Sequence, residues 1–148
     1  ALEPFDRGEA ADGRGPYQVQ QELQTTMQDL VGIVRTEAEM ARALEEIGRL
    51  EEQARRVGVS GNREYNPGWH TALDLSNLLT VSEAVTRAAI ERKESRGGHF
   101  REDYPEKDPA WGKVNVVIRK GPDGAMQLAR EPIRPLPPEL QAVIEEQK

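Results

Sequence analysis

Apolar residues recur at helical spacing in three stretches of this chain, and then the period changes to two. Val19, Leu23, Met27, Leu30, Val31 and Val34 form the first stripe, which predicts an amphipathic helix from Pro16 to about Val34. Proline suits that first position, where its missing N–H would find no intrahelical partner anyway. Met40, Ala43, Leu44, Ile47, Leu50 and Ala54 form the second stripe. Thr36-Glu-Ala-Glu39 ahead of it is a capping box, with the Thr36 hydroxyl accepting from the Glu39 N–H and the Glu39 carboxylate reaching back to the Thr36 N–H. Gly58 is expected to stop this helix. So short a joint between the first two helices implies antiparallel neighbours. A third helix is expected from about Trp69 to Ser95. Its apolar residues, from Ala72 and Leu73 through Leu78, Leu79, Val81, Val85 and Ile90, make more than one stripe, so burial on two sides is expected. Gly97-Gly98 is expected to end it, since glycine readily takes the left-handed backbone of a helix exit.

Beyond residue 112 the side chains alternate. Val114, Val116 and Ile118 read as one strand, Gly121-Pro-Asp-Gly124 as a turn, and Ala125–Glu131 as the returning strand. Pro132 to Pro138 is extended and polyproline-like, and Glu139–Gln147 can add a short helix. The glycine-rich residues 1–15 read as a flexible lead-in, and the initial Ala in place of Met suggests a processed or excised piece. The expected fold is mainly α: an antiparallel three-helix bundle, an irregular segment, a β-hairpin and an extended C-terminal tail. The expected organisation is 1–15 lead-in, 16–112 bundle with its trailing segment, and 113–148 hairpin and tail.

Composition narrows the function. A net charge of −6 with no basic patch argues against nucleic acid as a partner. The absence of cysteine excludes disulfides, thiolate metal sites and cysteine nucleophiles. No apolar run approaches the roughly 20 residues of a membrane span, and no signal peptide opens the chain. The first-turn histidine of the third helix, His70, reads as a partly buried, hydrogen-bonded residue. It and His99, the only two histidines, are too far apart in sequence to suggest a metal site. The glutamates and arginines of the second helix read as a solvated face of paired charges. No glycine-rich dinucleotide fingerprint or phosphate loop occurs.

The run Glu94-Ser-Arg-Gly-Gly-His-Phe-Arg-Glu-Asp-Tyr-Pro-Glu-Lys-Asp108 is the densest in chemistry-bearing side chains. Arg96, His99 and Arg101 leave the third helix together. Guanidinium groups suit bidentate carboxylate recognition, so a dicarboxylate site is one reading. The other is that the arginines pair with local acids, or with acids of a neighbouring domain, and fix the exit of the chain. On that second reading they are docking residues, and Arg96 contributes little to the stability of this chain alone.

Two runs resemble a known family. Tyr65-Asn-Pro-Gly-Trp-His-Thr-Ala-Leu-Asp-Leu-Ser-Asn-Leu-Leu-Thr-Val-Ser-Glu-Ala and Arg92-Lys-Glu-Ser-Arg-Gly-Gly-His-Phe-Arg-Glu-Asp-Tyr-Pro105 are similar to the C-terminal domain of the flavoprotein subunit of succinate dehydrogenase and fumarate reductase. Leu23-Gln-Thr-Thr-Met-Gln-Asp-Leu-Val-Gly-Ile-Val-Arg35 is similar to the first helix of that domain. L-aspartate oxidase shares the Glu-Ser-Arg-Gly core, and a free-standing interaction module of the same ancestry is a further alternative. The resemblance implies a spectrin-like bundle that packs on an FAD-binding domain and lies near an iron–sulfur subunit. It implies a parent enzyme that interconverts succinate and fumarate, with its complex at the cytoplasmic face of the bacterial inner membrane. The family's flavin and substrate motifs precede this domain, so no catalytic, cofactor or metal residue is carried over. FAD is expected in the parent subunit and not in this chain.

Overall fold

The computed structural model describes residues 2–8 and 14–146. These form two compact units that divide between Lys107 and Asp108. The division falls ahead of the boundary expected at residue 112, because Trp111 belongs with the hairpin, where the Arg130 guanidinium lies 4.1 Å from its ring centre.

The first unit is a three-helix bundle built from α2 (Pro16–Leu30), α3 (Glu37–Ala54) and α4 (Pro67–Glu91). A short helix, α1 (Glu3–Arg7), precedes them. Val19 and Leu23 of α2, Ile47 and Leu50 of α3, and Leu75 and Leu79 of α4 meet in one core with Val57. Cross-helix contacts give the directions. Arg49 late in α3 pairs with Glu22 early in α2, and Lys93 just past α4 pairs with Glu37 at the start of α3. α3 is therefore antiparallel to both neighbours.

Local chemistry starts each helix. Gln18 accepts from the Gly15 N–H at α2. The Thr36–Glu39 capping box forms as expected, at 3.0 and 3.3 Å. The Asn66 side chain caps α4 by accepting from the Trp69 N–H, with Pro67 in the first turn.

Several boundaries differ from the sequence reading. α2 ends at Leu30, and residues 34 and 35 form β1 (Val34–Arg35), which pairs in parallel with β2 (Phe100–Arg101). Two-residue strands are too short to leave a periodic signal. α4 ends at Glu91, with Arg92 already extended. The Gly97-Gly98 step does not stop the helix. It forms the turn of a tight hairpin in which Arg96 and His99 exchange backbone hydrogen bonds of 2.7 and 3.1 Å, and Gly97 takes φ of +59°. α4 is also not buried on two sides: Leu75, Leu79, Thr86 and Ala89 face the core, while Leu78, Val81 and Val85 are exposed. His70 is exposed as well.

The flexible lead-in is corrected in part. Residues 3–7 are helical and docked: the Phe5 ring lies 5.7 Å from that of Trp69, tilted by 49°, and the Val59 N–H donates to the Pro4 carbonyl. Gly58 passes so close that a Cβ there would lie 1.6 Å from the Gly8 carbonyl oxygen, so only glycine fits. Residues 9–13 of the lead-in lie outside the described residues.

The second unit holds a 3₁₀ turn (Trp111–Lys113) and the antiparallel hairpin β3 (Val114–Lys120) and β4 (Met126–Pro132), with Ile118 opposite Leu128. Gly124 closes its turn at φ of +84°. The tail is extended only to Pro137. It ends in α5 (Pro138–Glu146), whose Leu140, Val143 and Ile144 are exposed.

Candidate functional site

The segment after α4 folds back over the start of α3, and Arg101 is its pivot. The Arg101 side chain is fully buried. Its Nη1 donates to the carbonyls of Ala89 at 3.0 Å and Ile90 at 3.2 Å, which the end of α4 leaves without intrahelical partners. A cation there also complements the negative end of the helix dipole. Its Nε and Nη2 donate to the two carboxylate oxygens of Asp103, each at 2.7 Å, and Nη2 also reaches Glu37 at 3.2 Å. Asp103 in turn accepts from the Glu37 N–H in the first turn of α3, where the dipole favours an anion. One ion pair thus ties the C-terminus of α4 to the N-terminus of α3. Hydrogen bonding to Arg101 holds the Asp103 carboxyl at about 2, and bonding to Asp103 raises Arg101 in return.

Ser95 fixes the same segment from its other side. Its hydroxyl accepts from the Arg101 N–H at 2.8 Å and donates to the Tyr104 carbonyl at 2.9 Å. The Tyr104 ring lies 5.0 Å from the Arg101 guanidinium carbon and 5.6 Å from Lys93 Nζ, within cation–π range. Lys93 is raised mainly by its hydrogen bond to Glu37.

Glu94 is a second buried charge. Its Oε1 accepts from Arg92 Nε and Arg96 Nε, both at 2.9 Å, and its Oε2 from Arg96 Nη2 at 3.0 Å. His99 is half-buried. Its Nε2 lies 2.9 Å from the Arg92 carbonyl and its Nδ1 lies 3.2 Å from Arg35 Nη1. Burial lowers His99, and it also lowers Arg35, which has the Arg101 charge beside it.

Arg96, His99 and Arg101 are thus brought onto one small hairpin, with distinct tasks. Arg101 points inward and braces the segment from within, engaged with Ala89, Ile90, Glu37 and Asp103. The Arg96 guanidinium, part-exposed itself, grips the buried Glu94 within the same unit. Sequence reasoning missed Arg35 and Glu37 as members of the cluster. The capping box places Glu37 in a first turn, yet nothing local shows that this turn meets residues 66 positions away. Among the described residues, no cluster of acidic and histidine side chains suited to a metal occurs. The chain's single Gly-Gly step is spent in the hairpin turn, and among the described residues the one parallel strand pair has two residues per strand.

Residues 20–142 match the family model described as fumarate reductase flavoprotein C-term. The succinate dehydrogenase flavoprotein subunit of Coxiella burnetii is 38% identical over 108 residues, which cover 72% of this chain and 18% of that protein. The structure of Mycobacterium smegmatis Sdh1 in complex with UQ1 superposes with a TM-score of 0.86 at 42% identity, covering 99% of this chain and 25% of that one. The L-aspartate oxidase of Streptomyces coelicolor is a weaker relative, 29% identical over 123 residues, 83% of this chain and 21% of that protein. The chain spans about a fifth of the length of the curated relatives it matches. On the extent of these matches, the chain belongs to the family of C-terminal domains of succinate dehydrogenase and fumarate reductase flavoprotein subunits.

Proposed function

We propose that this chain is a non-catalytic docking domain of a flavoprotein subunit whose enzyme interconverts succinate and fumarate. Its role is to pack on the FAD-binding domain of the same subunit, near an iron–sulfur subunit. FAD is held by that other domain, and the enzyme's complex sits at the cytoplasmic face of the bacterial inner membrane. Among the described residues of this chain, no helix is long and apolar enough to cross a membrane.

The observation that carries this reading is the contrast between two parts of the first unit. Its charged cluster is turned inward and engaged with itself. Its exposed faces hold large apolar side chains in contiguous groups. Leu78, Val81 and Val85 follow one another along α4 at helical spacing, with Val81 61% exposed. Ile33, Val34 and Phe100 group on the β1–β2 ladder, where Val34 and Phe100 are partners in register. Contiguous apolar groups of this kind mark surfaces that another protein surface covers.

The test places Val81→Glu together with Val85→Glu in the complete subunit and in the 148-residue chain. These side chains are exposed here, so the chain's stability is expected to change by less than about 1 kcal/mol. The complete subunit is expected to lose flavin or its iron–sulfur partner. A complete subunit that keeps both would overturn the docking role.

A further inference from the structure

His99 is held in one protonation state by what it touches. The Arg92 carbonyl only accepts, so Nε2 must carry the proton. The Arg35 guanidinium only donates, so Nδ1 must be the bare acceptor. A neutral ring satisfies both contacts. A doubly protonated ring cannot, because its Nδ1–H would then face an N–H of Arg35.

The charges acting on the ring are Arg35 from β1, Arg92 just past α4 and Arg101 from β2, all of them cationic. Three carboxylates of the region are turned to other partners, while Glu106 and Lys107 line the same open pocket as His99. Glu37 and Asp103 pair with Arg101, and Glu94 pairs with Arg92 and Arg96. Arg35 is the loosely held member of the contact. Among the described residues its buried Nε has no hydrogen-bond partner, and a buried donor left unsatisfied is costly. Arg35 therefore gains hydration by leaving once its bond to His99 is lost. It is also one of only two residues in β1, and it lies in register with Arg101.

We propose that the Arg35–His99 contact is a proton-operated latch. With His99 neutral, the latch fastens the connection between α2 and α3 to the hairpin of residues 96–101. A solvent proton taken up at Nδ1 displaces Arg35 and frees β1 from β2. The sign follows from the lowered His99 value: the latch is closed above about 6.5, the ordinary histidine value, and opens as pH falls through the lower folded value. This window is separate from that of Asp103, near 2. The latch is a property of this chain alone. Only its consequence for Ile33, Val34 and Phe100 as a covered face rests on the docking role proposed above.

The test uses the 148-residue chain, labelled with ¹⁵N. Imidazole nitrogen shifts report the tautomer and titration of His99. Amide-exchange protection of Phe100 and Glu102, which donate to the Ile33 and Arg35 carbonyls, reports the ladder. The expected result is an Nε2–H tautomer, a midpoint below about 6.5, and protection that falls with that midpoint. The fall should approach about tenfold for each unit by which the folded value is lowered. In His99→Gln the same protection should be flat with pH. An Nδ1–H tautomer, titration of His99 without loss of ladder protection, or an unchanged pH dependence in His99→Gln would each overturn the latch. Should His99→Gln fail to fold, the titration of the unsubstituted chain decides alone. A docking test that fails in the complete subunit leaves this measurement untouched.

Discussion

Arg101 and Asp103 meet through two parallel hydrogen bonds of 2.7 Å, Nε to Oδ1 and Nη2 to Oδ2. The pair joins the carbonyl end of α4 to the N–H end of α3, because Arg101 also binds Ala89 and Ile90 while Asp103 binds the Glu37 N–H. Its value lies in where it sits. The guanidinium is buried with six polar contacts, the sixth a 3.5 Å approach of Nη1 to the Arg92 carbonyl, so its loss orphans several groups at once.

Arg101→Met should therefore destabilise the chain by about 3–5 kcal/mol, the range for removing one partner of a buried pair. Urea unfolding followed by circular dichroism measures it. Arg101→Lys should recover only part of the loss, since an ammonium cannot reproduce the planar fork that reaches carbonyls and carboxylate together. Full recovery by lysine would show that charge alone matters.

The pH dependence follows from Asp103. Its folded value of about 2 lies below the ordinary 3.8, so its contribution is present above about 3.8 and lost as pH falls through 2. The carboxylate is partly exposed, which limits the contribution to about 1 kcal/mol after solvent screening. In Asp103→Asn the stability between pH 4 and pH 2 should fall less steeply than in the unsubstituted chain. Parallel profiles would remove Asp103 as the acid-sensitive group.

Arg96→Ala leaves the buried Glu94 without a bidentate partner, though Arg92 still donates to it. A loss of about 1–3 kcal/mol is expected, the cost of an under-satisfied buried group. Double substitution with Glu94→Gln should cost less than the two single changes added together. Strict additivity would mean that the two side chains do not act as a pair.

Leu79 is 3% exposed in the core of the bundle. Leu79→Asp places a carboxylate among apolar side chains there, at a cost of several kcal/mol. The helical circular dichroism signal should collapse at room temperature, whereas Leu78→Asp, on the exposed face one residue earlier, should leave it intact. An equal response from both would contradict the assigned orientation of α4.

Purified alone, the 148-residue chain should be colourless and should not pass electrons from succinate to a dye. A visible spectrum and a dye-reduction assay check this. A flavin band near one per chain would place flavin-binding groups within these residues.

Local chemistry announces itself in this sequence wherever neighbours in the chain do the work. The stripe Val19-Leu23-Met27, the capping box at Thr36 and the turn at Gly121 each bring together residues within a few positions. Their helix, start and hairpin form accordingly. The extent of α4 was harder to read. Leu78, Val81 and Val85 are as apolar as Leu75 and Leu79, so their exposure cannot be read from periodicity.

By itself the sequence determined three apolar stripes, their start signals, the hairpin and the family, through a run of residues from Glu94 to Pro105 that is specific enough to stand out. Tertiary structure alone decided what that run does. Arg101 and Asp103 are near in sequence, but Glu37 reaches Arg101, and Arg35 reaches His99, across more than sixty residues. Pairing at that separation depends on how the bundle closes. Closure is driven by apolar burial, which has no direction. The charges meet where the core has already brought the helix ends together, and there burial turns local arginines into internal braces.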